Sequence, residues 1–213
     1  MARINKSLIG ELSGKAGGLV FKTGKNGNYV SSLPTPTNKK PSVEQQLQRD
    51  KMTVVMDFLR PLQTLIKEAY FPFQQNRSGF HAAKSYYLKK AVVMDNSTYT
   101  INYPKALLSF GDVLGMEGLQ VTADALTYSI TLQWLDNSYQ AMAEPDDKLL
   151  VVCYAPKNQQ LYYQTELAQR TDTQVSIPLD ASWAAMDIHV WAGLQSADQL
   201  RASPSSYGGS FSF

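Results

Sequence analysis

Hydrophobic positions change their spacing twice along this chain. From Leu47 they recur at helical intervals, with Leu47, Val54, Val55, Phe58, Leu62, Leu65, Ile66 and Ala69 on one stripe. Ser42 followed three residues later by Gln45 forms a capping box and predicts a helix start just after Pro41. Pro61 lies inside the pattern. Its missing N–H and crowding ring predict a kink or break near Arg60. A second helix is predicted from about Phe80 to Ala91, with Phe80, Ala83, Tyr87 and Ala91 on one side. Lys84, Lys89 and Lys90 lie opposite, so the helical hairpin has a basic exterior.

From Asp95 the period falls to two. Predicted strands are Tyr99–Tyr103, Leu119–Thr122, Thr127–Leu135, Leu149–Ala155, Gln160–Gln164, Gln174–Pro178 and Asp187–Gly193. Turn clusters separate them: Asp136-Asn137-Ser138, Glu144-Pro145-Asp146-Asp147 and Pro156-Lys157-Asn158. Short alternating strands at regular spacing predict an antiparallel β-sandwich, with Trp134 as an anchor between sheets and Trp191 in the same core. The Glu144–Asp147 cluster lacks the ligand spacing of a calcium loop and is expected to be a solvated turn.

The first forty residues follow neither period. Gly18–Thr23 and Asn28–Leu33 are predicted strands around Gly24-Lys25-Asn26-Gly27, where Asn-Gly supplies the positive φ of a tight turn. The Pro34–Pro41 stretch cannot hold regular structure. A two-stranded hairpin is marginal alone, so this arm is expected to pack on its own body or on a neighbouring molecule.

These patterns predict an α+β chain in three parts: a Gly/Lys-rich arm and Pro-rich linker over 1–41, a helical hairpin over 42–92 and an antiparallel β-sandwich over 93–213. The net charge of +2 conceals an asymmetry. Residues 1–92 carry 15 Lys/Arg against 5 Asp/Glu, whereas 93–213 carry 5 against 13. Balances of +10 and −8 suggest an electrostatic partner for each part. A single cysteine, Cys153, excludes a disulfide framework within the chain. The start MARINKSLIGELSG has no apolar signal region, and no apolar run reaches the roughly 18 residues of a bilayer span, so the cytoplasm is the expected compartment.

Catalytic chemistry finds little support. The two histidines, His81 and His189, fall at a helix start and on an outward strand position, and Cys153 reads as a small core residue. Three Cys/His residues cannot supply a four-ligand structural metal site, and Gly24-Lys25-Asn26 does not complete a P-loop. No enzyme activity, cofactor, metal or small-molecule ligand is expected. The basic residues remain: Lys15, Phe21, Lys22, Lys25, Tyr29, Lys39 and Lys40 on the arm, then Arg49, Lys84, Lys89 and Lys90 on the helices. They are the expected interaction residues.

The stretch SGKAGGLVFKTGKNGNYV, then PSVEQQLQRDKM, FLRPLQTLIKEAYF and FHAAKSYYLKKAV, and finally YSITLQWLDNS, DKLLVVCYAP and DIHVWAGLQSADQ resemble an uncharacterised family common in Bacteroidota. The chain departs from it at the arm's turn, with Thr23-Gly24-Lys25 where members often carry an aromatic-basic step. The resemblance implies an architecture that ends in an immunoglobulin/fibronectin-III-like sandwich, and it brings no catalytic residues. Three functions are therefore expected in turn: a non-enzymatic structural or self-associating protein, its basic part docking on an acidic sandwich or a neighbouring subunit; a nucleic-acid-associated protein using residues 1–92; or a protein- or glycan-binding module working through the sandwich loops.

Overall fold

The computed structural model describes residues 2–4, 13–24, 27–35, 40–71, 78–96 and 98–213. The chain divides into two compact units, 1–42 and 43–213.

In the first unit, β1 (Ala2–Ile4), β2 (Gly14–Ala16), β3 (Leu19–Gly24) and β4 (Gly27–Ser32) form one antiparallel sheet in the order β1-β4-β3-β2. The arm is therefore larger than the two-stranded hairpin the sequence predicts, because short strands pair on both of its edges. Gly24 pairs with Gly27 at the β3–β4 connection, where Gly27 has φ +103°, a conformation that favours glycine. The turn residues Lys25 and Asn26 lie outside the described residues. Register places Gly14, Phe21 and Val30 in one row and Ala16, Leu19 and Ser32 in another on the same face. Lys15, Val20 and Ser31, with Lys22 and Tyr29, take the other face. The sheet is amphipathic, one face neutral and the other basic.

The second unit begins with α1 (Val43–Leu59), directly after Ser42. It breaks at Arg60–Leu62, as Pro61 predicts, and α2 (Gln63–Ala69) follows. The third helix, α3 (Gly79–Tyr86), is capped by the Ser78 hydroxyl, which accepts from the His81 N–H at 3.3 Å. It continues as a π-helical turn, Tyr87–Ala91. A hairpin of β5 (Val92–Asp95) and β6 (Thr98–Ile101) comes next, of which the sequence reading found only the second strand.

The remaining strands form the sandwich: β7 (Glu117–Asp124), β8 (Ser129–Leu135), β9 (Lys148–Ala155), β10 (Gln160–Gln169), β11 (Gln174–Pro178), β12 (Asp187–Gln195) and β13 (Ser206–Ser212). One sheet has the order β10-β9-β12-β13 and the other β11-β8-β7. Ile130, Leu132, Trp134 and Ile177 from the smaller sheet meet Leu149, Val151, Cys153, Ile188 and Val190 from the larger. All are at least nine-tenths buried.

A second core covers the other face of the larger sheet. Val55, Phe58, Leu59, Leu62, Leu65 and Ile66 pack there with Tyr87, against Leu150, Val152, Tyr154 and Trp191. The unit thus has three layers, helices on sheet on sheet. Two expectations change accordingly. No division falls at 92/93, because the helices and the sandwich share a core. Trp191 belongs to the helix-facing side of β12 and not to the core between the sheets.

Strand β13 escaped the sequence reading because Tyr207-Gly208-Gly209-Ser210 has weak β-propensity. Packing explains one of these residues: a Cβ at Gly208 would lie 2.5 Å from Val121 Cγ2 on β7. Only glycine lets the edges of the two sheets approach this closely.

Candidate functional site

On the arm sheet, Lys15, Lys22 and Tyr29 share one face, and the Lys22 ammonium lies 6.0 Å from the centre of the Tyr29 ring. That distance is at the outer limit of a cation–π contact. Phe21 sits on the opposite face, half-buried beside Val30 and near the exposed Leu19. Of the expected interaction residues, Lys15, Lys22 and Tyr29 are brought together and Phe21 is not. Lys40 is exposed beyond the sheet, and Lys25 and Lys39 lie outside the described residues. In the second unit, Arg49 is exposed on α1, Lys84 is half-buried on α3, and Lys89 and Lys90 are exposed on the π turn. By sequence the arm unit carries seven Lys/Arg against one Asp/Glu, a balance of +6.

The most elaborate polar site was not found by sequence reasoning. Arg170 and Asp147 are both buried between the sandwich loops, 2.7 Å apart from Nη2 to Oδ2. The Arg170 Nε also donates to Asp147 Oδ2 at 3.1 Å, Nη1 donates to Asn137 Oδ1, and Nη2 donates to the Leu114 carbonyl at 2.9 Å. Asn137 in turn donates to the Gly115 carbonyl at 3.0 Å. The Arg170 carbonyl accepts from Trp134 Nε1 at 2.7 Å. The Glu144–Asp147 cluster is thus not a wholly solvated turn, since Asp147 is the buried anion of a brace that ties three loops together. The available signal was Arg170 itself, one of only two arginines in the acidic residues 93–213. Its planar set of donors suits a buried pair better than a lysine would.

His189 points away from the core between the sheets, as expected, yet it is half-buried. Its ring stacks on Tyr103 at 3.9 Å between centroids, and Nδ1 is 2.8 Å from the Tyr207 hydroxyl. Burial lowers its pKa below the ordinary value of 6.5. His81 is exposed on α3. Cys153 lies within the core between the sheets, where burial pushes its thiol up to about 12. Asp112 pairs with Arg201 at 3.0 Å, and the hydrogen bond from that guanidinium holds its carboxyl below the usual carboxylate range. Among the described residues, no group of three or more His, Cys, Asp or Glu is placed to hold a metal ion, and no helix is long and apolar enough to cross a membrane.

A search of solved structures finds similarity to the fn3 domain of human collagen alpha-1(XX) chain. The two are 11% identical, and the match covers 47% of this chain and 84% of that one with a TM-score of 0.35. No curated protein matches. A family model does match residues 11–209, which takes in the arm sheet from β2 onward, the helical layer and nearly all of the sandwich. The chain belongs to that family, DUF6266, a family of unknown function.

Proposed function

We propose that this is a non-enzymatic structural protein that self-associates, its basic arm meeting the acidic part of a neighbouring copy. One observation carries the reading: the described strands of the arm unit all belong to one amphipathic sheet, and among the described residues no second layer of that unit lies over its apolar face. A sheet with Leu19, Phe21 and Val30 on one side gains by burying that side against another surface. The opposite face carries Lys15 and Lys22, and residues 93–213 carry a balance of −8. Opposite charge steers such an encounter and fixes its register more than it adds affinity. Contacts of this kind between unlike surfaces are heterologous and build rings or filaments.

The Lys15, Lys22 and Tyr29 face favours a second reading, in which the arm tracks a single-stranded nucleic acid with Tyr29 as a stacking surface. Light scattering on the nuclease-treated protein separates the two. Self-association predicts a mass that grows with concentration, falls with salt, and stays monomeric when Lys15 and Lys22 are replaced by Glu. A protein that remains monomeric at high concentration and low salt refutes it. Retained affinity for oligonucleotides in that monomer would support the second reading.

A further inference from the structure

The outer face of the β11-β8-β7 sheet carries a regular array of uncharged polar side chains. Gln120, Gln133 and Gln174 lie opposite one another in register across the three strands, and Thr122, Thr131 and Ser176 form the next row. Gln133 Nε2 donates to Gln174 Oε1 at 3.3 Å, and Thr131 Oγ1 donates to Ser176 Oγ at 3.2 Å. The three carboxamides are exposed. The glutamine row opens into a cleft of about 310 Å³, lined by Gly118, Gln120, Gln133, Leu135, Thr173 and Gln174. That volume is at the lower end of the range for small-ligand sites.

Local backbone geometry shapes the cleft. The β7–β8 register shifts between Glu117 and Gln120, and Gly118 has φ +64°. A bulge of this kind re-aims side chains, and bulges cluster next to binding sites. A Cβ at Gly118 would lie 3.0 Å from Leu135 Cγ, so a larger residue would displace the side chain that walls the cleft. Leu135 is 59% exposed. Thr173 adopts φ 57° on the other side, at the entry to β11.

We infer that this cleft binds a neutral oligosaccharide. Carboxamides both donate and accept, which matches the paired hydroxyls of a sugar ring without ionic attraction. Their row repeats at the strand spacing of about 4.8 Å, similar in scale to the advance of one pyranose along an extended glycan. Leu135 offers an apolar surface for the C–H face of a ring. The neighbouring carboxylates at Glu117, Asp136 and Asp172 disfavour sulfated or uronic acid chains. This inference stands apart from the self-association reading and uses no residue of the arm.

The test is an amide chemical-shift titration of the full ¹⁵N-labelled chain. The probes are cellohexaose, mannohexaose, chitohexaose and maltohexaose, with polygalacturonate and hexalysine as charged comparisons. At least one neutral sugar should give saturable shifts confined to the amides of 118–121, 133–135 and 173–175. Gln133→Ala and Gln120→Ala, each at an exposed position, should each weaken binding by up to about tenfold while the other resonances stay in place. The inference is overturned if no neutral sugar shifts these amides, if only a charged probe does, or if both variants bind as the parent does.

Discussion

Replacing Arg170 with methionine keeps most of the side-chain volume and removes every donor of the guanidinium. Asp147 then stays buried with no cation, and the Asn137 Oδ1 and the Leu114 carbonyl each lose their donor. Breaking a buried pair by removing one partner costs about 3–5 kcal/mol. For a folding unit the size of residues 43–213, that lowers the melting temperature by roughly 6–20 °C. Asp147→Leu alone should cost a similar amount, because it strands the arginine. The double variant should recover part of the loss, since two apolar groups leave no unpaired charge behind. Differential scanning calorimetry of the parent, both single variants and the double variant closes the cycle. A coupling near zero, or an Arg170→Met protein as stable as the parent, refutes the view that this brace holds the loops.

Three further outcomes are expected. Burial depresses the folded-state pKa of His189, so the unfolded chain takes up its proton first. The stability contributed is present above the unfolded value of about 6.5 and declines as pH falls below it. The melting temperature of His189→Phe should therefore depend less steeply on pH below about 6.5, and an unchanged dependence counts against the assignment. Cys153, with its thiol pushed up to about 12, should not react with a disulfide reagent until the protein unfolds. Labelling under native conditions faster than global unfolding would contradict its place in the core. A fragment of residues 93–213 would expose Leu150, Val152, Tyr154 and Trp191, so it should melt without cooperativity and bind hydrophobic dyes. A sharp transition in that fragment would show that the helical layer is dispensable.

The sandwich was legible because β8 and β11 alternate cleanly, with Ile130, Leu132 and Trp134 inward and Thr131 and Gln133 outward. The third layer left a different signal, which the division at 92/93 passed over. Lys148–Ala155 does not alternate: seven of its eight residues are buried, as befits a strand covered on both faces. The same holds along Val190–Gln195. Runs of this kind say that a sheet has something on each side, and in the structure the helical stripe around Phe58 and Leu62 is that cover. The Arg170 brace could not be read in the same way. Its partners Asn137 and Asp147 stand 33 and 23 positions away and look like ordinary turn residues. The outer edges of the arm sheet were hidden because three-residue strands such as Gly14–Ala16 carry too little pattern to register.

The layered core also sets an order of events during synthesis. Leu59 and Leu62 emerge from the ribosome long before Trp191, their partner across the helix–sheet interface, which lies more than 100 residues further along the chain. At the usual pace of translation, the helical stripe waits about ten seconds for its cover. During that interval its apolar side chains face solvent, the ribosome surface or a holdase chaperone. Slower translation or chaperone depletion should therefore show its losses in aggregates that carry these helices exposed.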